Sequence, residues 1–541
     1  MSVFPKMKVK APKMAHHDLS HFFRTSMATG PLVPIACFPV VPGDDIQLNY
    51  ESLINTQALL TPLYGSYKLN IETFFAGTSL YIPKLWRNGS MQAADGTLDA
   101  NYPFFELNDP TTDGVPVNGL NPSSLFAYLG LPPYYGNRFM DHPDQINAIP
   151  WLMYMDIYRH YYVNRQAGYG VVINHQGATV NNTQYDTVSV SDLDELFLKL
   201  PVDGGNIMGL LPAPLGALFT NPSGKTMPAY TNPLSGLFLR AQMPDRMNVI
   251  LNSTFYEKNV SSVKVSTTGD NFQIDQLVTA KKLWNSRNKD AMTAGTFKDW
   301  VRAHFGVTPK IMDDMPTFCG SYSTSINFED IRATTTVRDE NGNIEQALGD
   351  KGSSAISYGN SRMHRIVADR PGYVMVLASI TPRVDYFQFA DRYPFYGKLS
   401  DEFRPEFNGI GLQDVLGADL NYSWYNPATD VAAQVISYDA SVDPRAVSLG
   451  KQPAWIEYMT RVNKIRGTFC TTENSWVLSK NLWDRSNTFD PATINPPYYV
   501  YPSDWNQPFA LQDATAQNFL AQFFIRHFVR STVQKRLLPK F

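Results

Sequence analysis

The stretch that most constrains this chain is Pro31 to Leu85. An apolar run, PLVPIACFPVV, passes through the turn Pro42-Gly43-Asp44-Asp45 and re-emerges as IQLNYES. There Ile46, Leu48 and Tyr50 alternate with Gln47, Asn49 and Glu51, and a second alternation follows at Tyr67, Leu69 and Ile71 against Lys68, Asn70 and Glu72. Successive side chains of a strand point to opposite faces, so this period of two describes strands buried on one side. Proline presets φ and glycine tolerates positive φ, which makes Pro-Gly-Asp a fitting break between them. The block reads as antiparallel β-structure, and an ordinary β-sandwich edge would account for it.

With 541 residues the chain has room for two to four average domains, or for one β-domain with long insertions. Aromatic residues make up 13% and charged residues 18%, a balance that suits short strands, long structured loops and a surface consumed by protein contacts. The formal net charge of −3 excludes a chain that binds polyanions as a whole, so nucleic-acid affinity must come from local clusters. Cys37, Cys319 and Cys470 are far apart and odd in number, which gives neither a disulfide framework nor metal-type spacing. A reducing site of synthesis is expected. No signal-type apolar region opens the chain and no run of eighteen apolar residues occurs, so neither export by a signal peptide nor a membrane span is expected.

Residues 1–30 form a basic arm, with Lys6, Lys8, Lys10 and Lys13 followed by His16, His17 and His21. The arm reads either as a disordered tail or as a segment touching phosphates or a neighbouring subunit. Residues 86–148 are loop-like. Pro150 opens a helical stripe through Trp151, Tyr154, Met155 and Tyr158. From about 167 to 247 the chain loses strong periodicity and reads as a long structureless insertion. Helical spacing returns at Ile274, Leu277, Val278, Lys281 and Trp284, and again at Phe297, Trp300, Val301 and His304, where a buried, satisfied histidine outweighs a catalytic one. PGYVMVLASITPRVDYFQ (371–388) has the continuous apolar run of a strand covered on both faces, and QPAWIEYMTRVNKIRGTF (452–469) alternates as a strand does. The segment from about 515 to 541 is a basic, aromatic C-terminal tail in which Arg526, Arg530, Lys535 and Arg536 interleave with Phe523, Phe524 and Phe528. It reads equally as a single-strand contact surface and as a tail packed on a neighbouring subunit.

HDLSH (17–21), GPLVPIACFPVVPGDDIQLN and the aromatic pair in IETFFAGTSLYIPKLW resemble the opening of microvirus major capsid proteins, closest to the gokushovirus-like branch. IYRHYYVNRQ (157–166), WVRAHFGVTP (300–309), the strand at 371–388, Pro405, Glu406, Phe407, Ile410 and Gly411, and QPAWIEY (452–458) continue the resemblance in order. Ile82-Pro-Lys-Leu85 departs from the Val-Pro-Asn-Arg of that family, and Pro371 stands where it has histidine.

The resemblance implies a mainly β fold, an eight-stranded antiparallel jelly roll with long loop insertions, over residues 31–541. It implies a structural protein that self-assembles, through pentamers, into a T=1 icosahedral shell of sixty copies around circular single-stranded DNA. The implied partners are scaffolding, pilot and small DNA-binding proteins of the virus and a host surface receptor met by outer loops. The implied location is the virion, with synthesis in the bacterial cytoplasm, and no enzyme, cofactor or metal is expected. Candidate DNA contacts are Lys6, Lys8, Lys10, Lys13, Arg526, Arg530, Lys535 and Arg536. The 167–247 insertion is implied to project at a three-fold axis. A monomeric β-sandwich that binds or cleaves glycans is the alternative. No nucleotide loop, nucleophile elbow or metalloprotease motif is present.

Overall fold

The computed structural model describes residues 14–82, 102–107, 122–131, 144–162, 171–174, 185–188, 190–201, 314–332, 337–338, 344–346, 351–368, 371–387, 389–407, 411–416, 425–426, 431–432, 448–479, 508–512 and 516–531, with a few single positions between and beyond them. Its frame is ten strands: β1 (Ala15–Asp18), β2 (His21–Met27), β3 (Val33–Val40), β4 (Asp45–Thr56), β5 (Ser66–Gly77), β6 (Thr317–Asn327), β7 (Ile356–Asn360), β8 (His364–Val367), β9 (Gly372–Pro382) and β10 (Phe519–Ser531). All their pairings are antiparallel. One sheet has β10 and β4 at its centre, with β1 and β2 end to end along β10 and β7 and β8 end to end along β4. The other runs β6-β5-β9-β3.

The sheets pack face to face, and the alternation in β4 decides which side of it is inside. Ile46, Leu48, Tyr50 and Ile54 are fully buried, while Gln47, Asn49 and Glu51 face the other way. Tyr50 crosses the gap to share a 2.7 Å hydrogen bond with Thr73 of β5. At one end of the core Tyr67, Phe509 and Phe519 interlock edge to face or tilted, with Phe519 lying 5.1 Å from Tyr67 and 5.4 Å from Phe509. Offset and edge-on geometries suit the ring quadrupoles.

The four-stranded sheet is covered on its far side as well. Helix α1 (Leu125–Tyr128) packs on β3, and helix α2 (Ile149–Ile157) continues into a π-helical turn, Tyr158–Tyr162. Phe74 of β5 rests on Tyr161 at 4.9 Å, and Tyr162 donates to Glu72. Coverage on both faces explains why β9 reads as an unbroken apolar run. At its start Gly372 runs so close to β5 that an added Cβ would stand 2.2 Å from the Ala76 carbonyl oxygen. The close approach therefore requires glycine.

Four expectations are corrected. The arm of residues 1–30 is, from Ala15, two strands bonded to β10. The tail from about 515 contains β10 itself, the strand between β4 and the β1–β2 edge. The insertion at 167–247 is not structureless: it holds a hairpin, Val171–Asn174 with Tyr185–Val188, and helix α3 (Val190–Leu198), whose Leu193 and Leu196 are buried at i, i+3 spacing. Finally, the strand expected over 452–469 ends at Pro453 and is followed by one helical turn, Ile456–Met459. Trp455 adopts a left-handed φ of 64°, which breaks the extended backbone there. The helical spacings at 274–306 lie outside the described residues. Among those described, no helix is long and apolar enough to cross a membrane.

Candidate functional site

The period of two in β10 divides its side chains between two tasks. Phe519, Ala521, Phe523, Ile525, His527 and Val529 enter the core, so Leu520, Gln522, Phe524, Arg526, Phe528 and Arg530 line the outer face of the six-stranded sheet. Register with β2 sets Phe22 opposite Phe524 and Arg24 opposite Gln522. The two phenylalanines stack with centroids 4.6 Å apart, and each carries a guanidinium above its ring: Arg24 at 5.5 Å over Phe22 and Arg526 at 5.6 Å over Phe524. Arg24 is held in place by a 2.8 Å bond from Nε to Gln522 Oε1. Cross-strand pairing and cation–π attraction thus build a ladder of arginine, aromatic, aromatic, arginine on an exposed surface. Ile356 and Tyr358 of β7 extend the face and are 75% and 65% exposed.

Carboxylates temper the charge of this surface. Arg526 forms an ion pair with Glu51. Arg365 grips Asp45 with two 2.8 Å bonds, and this guanidinium, with a smaller contribution from Arg530, holds the Asp45 carboxyl below its usual range. Asp18 of β1 lies beside Phe528 in register and is lowered by its bonds to Ser20. The face is therefore mixed in sign. Its aromatic rings suit stacking on unpaired bases, and its guanidiniums suit scattered phosphate contacts. Double-stranded rails of phosphate would call for a more uniformly basic surface.

Of the residues singled out in the sequence, Arg526 and Arg530 come together here, and Lys535 is exposed beyond the end of β10. Lys6, Lys8, Lys10, Lys13 and Arg536 lie outside the described residues. Phe22 and Arg24 belong to the same face and escaped sequence reading, because HFFRTSM was absorbed into the arm. The strand alternation of β10, and the need of its outer face for neighbours, was the signal that could have found them.

On the opposite side of the same strand His527 is buried against Phe38, with ring centroids 4.2 Å apart. Burial, and next the charge of His21, pushes its pKa down to about 4, while Asp18 acts weakly the other way. In the unfolded chain a histidine takes its proton near pH 6.5. Folding stability is therefore complete above about 6.5 and declines as the pH falls towards 4. Asp385 opposes this: burial raises it to about 6, so its cost to folding is present above that pH and disappears below it. Urea unfolding at pH 7.5 and pH 5 should show His527→Gln losing less stability on acidification than the parent, by about 1–2 kcal/mol after solvent screening. Asp385→Asn should lose more than the parent. Equal pH slopes in all three proteins would contradict the assignment.

Comparison with known proteins matches residues 6–534 to the family model described as phage capsid protein (F protein). Capsid protein VP1 of Bdellovibrio phage phiMH2K is 21% identical over 492 residues, which cover 86% of this chain and 83% of that protein.

Proposed function

This chain belongs to the phage F capsid protein family, as a microvirus major capsid protein and so a structural component of a virion, and from that premise we propose that sixty copies close into a T=1 icosahedral shell around circular single-stranded DNA. The match over residues 6–534 is the observation that carries the reading. The same match leaves no support for the glycan-binding or glycan-cleaving alternative. In this reading the protein is no enzyme.

The chain order supports an eight-position jelly roll. Counting β1 with β2 and β7 with β8 as single positions, the chain visits the six-stranded sheet at positions one, three, six and eight, and the four-stranded sheet at two, four, five and seven. Each sheet then has four positions, and the long excursions fall between β5 and β6 and between β9 and β10. Residues 31–541 form one capsid domain in this account, with the two strands that begin at Ala15 adding an edge to it, 167–247 serving as an outward insertion at a three-fold axis, and Phe519–Ser531 returning through the core.

The arginine–aromatic ladder supports the outer face of the six-stranded sheet as the genome-facing surface, with Arg526, Arg530 and Lys535 joined by Arg24. Lys6, Lys8, Lys10, Lys13 and Arg536 extend the contact from both ends of the chain. Pentamers serve as intermediates, and scaffolding, pilot and small DNA-binding proteins and a host receptor complete the set of partners, with assembly in the bacterial cytoplasm. Native mass spectrometry of purified particles tests the shell. Sixty copies plus the mass of a single-stranded genome is the expected result, and a chain that stays monomeric with every viral partner present contradicts it.

A further inference from the structure

We propose that residues 393–407, together with Tyr458 and Met459, form a contact surface for a second copy of this chain; the inference rests on the capsid reading and locates one of its subunit contacts. The segment runs through three short 3-10 turns, Tyr393–Phe395, Leu399–Asp401 and Pro405–Phe407. Every residue from 393 to 407 is exposed except Tyr396, which is half-buried. Ordering a backbone costs about 1–2 kcal/mol per residue, and burial is the ordinary source of compensation. Here the chain holds a defined path over fifteen residues with Tyr396 alone among them half-buried.

What holds the path is a small cluster of rings and a few hydrogen bonds. Phe403 lies 5.5 Å from Trp455 and 5.8 Å from Tyr458. Trp455 donates from Nε1 to the Phe407 carbonyl at 3.2 Å, and Tyr396 donates to Glu457 at 3.0 Å. Trp455 itself adopts the left-handed φ of 64°. These contacts fix the shape and leave the apolar side chains outside. Tyr393, Phe395, Leu399, Phe407, Tyr458 and Met459 are each between 41% and 75% exposed.

Two features select the occupant. The first is area. At about 200 Å² for each large side chain the six offer roughly 600 Å² of apolar surface, close to the roughly 800 Å² per partner of a standard protein interface. The second is charge. The segment carries Lys398 and Arg404 against Asp401, Glu402 and Glu406, and Arg392 directly precedes it, so both signs are present in nearly equal number. A nearly balanced mixture of both signs can complement another copy of itself and offers a polyanion no net attraction. An aromatic patch with a mixed polar rim has the composition of a protein interface.

The test compares the full-length chain with the double variant Phe395→Asp/Leu399→Asp, both positions being more than half exposed. Circular dichroism and thermal unfolding check the fold, and sedimentation velocity reads the assembled fraction. The variant should fold as the parent does and lose assembled material at least tenfold. Assembly of parent and variant alike overturns this inference and spares the capsid reading, whereas a parent that never assembles overturns both. Hydroxyl-radical footprinting of Tyr393, Phe395 and Met459 needs no variant. Protection in the particle that is lost on dissociation supports a second copy. Protection already complete in the monomer assigns the cover to the chain's own residues, and protection removed by nuclease assigns it to DNA; either overturns the inference.

Discussion

Asp156→Ala is expected to destabilise the folded chain by about 3–5 kcal/mol, because it takes the buried counter-charge from the Arg159 guanidinium. Asp156 is buried at the end of α2 and is the hub of a network. Tyr81 donates to its Oδ2 at 3.1 Å, and Arg159 and His160 lie 3.2 and 3.1 Å from its Oδ1. Arg159 reaches on to Asp194 of α3 at 3.1 Å and lies over the Phe197 ring at 4.5 Å. The carboxylate thus ties the residues following β5 to α2, and through Arg159 to α3. With Asp156 removed, the carboxylate left to the Arg159 guanidinium among the described residues is Asp194, whose side chain is partly exposed. The buried Tyr81 hydroxyl would lose its acceptor as well, which acts in the same direction. Tryptophan fluorescence, to which the buried Trp151 of α2 contributes as one of nine tryptophans, follows the transition in urea. Asp156→Asn keeps the hydrogen bond from Tyr81 and should lose less. A loss under 1 kcal/mol in the alanine variant would mean that the network is not what holds α2 to α3.

The second large effect is expected at Phe519→Ala, again about 3–5 kcal/mol, by loss of buried aromatic surface and the cavity left behind. Phe519 is fully buried, opens β10, and lies opposite Thr56 of β4 and Met27 of β2. It packs against Tyr67 from the facing sheet and Phe509 from the segment that returns to the core. Its loss therefore weakens the contact between sheets and the anchoring of the chain's return together. Phe519→Leu retains most of the volume and should cost about 1 kcal/mol. The check is the urea midpoint of the two variants at constant m-value, which separates a stability change from a change in the unfolded ensemble.

The strands most legible in the sequence are those whose pattern has a single cause. In β4 one face is core and the other solvent, so the alternation is clean, and in β9 both faces are covered, so the apolar run is continuous. β10 was harder to place, because its outer face carries Phe524 and Phe528 beside Arg526 and Arg530, and a strand with apolar residues on both faces and charges on one reads as a basic aromatic tail. At 452–469 the alternation of Trp455 to Val462 was real in composition, yet Pro453 and the left-handed Trp455 end the extended backbone. The candidate site was half legible. Arg526 and Arg530 were visible as a cluster, but Arg24 meets Gln522 across 498 positions, and pairing over that distance depends on the register of β2 against β10. No local pattern encodes it. The exposure of the rings of 393–407 is not legible in the sequence, since nothing in their spacing tells buried rings from exposed ones.

The most direct measurement is an electron cryomicroscopy reconstruction of the assembled particle at a resolution that separates strands. The account requires sixty copies, each with Phe22, Phe524 and Arg526 on the inner wall against nucleic-acid density. A shell in which that face points outward, or is sealed between subunits away from the genome, would contradict it.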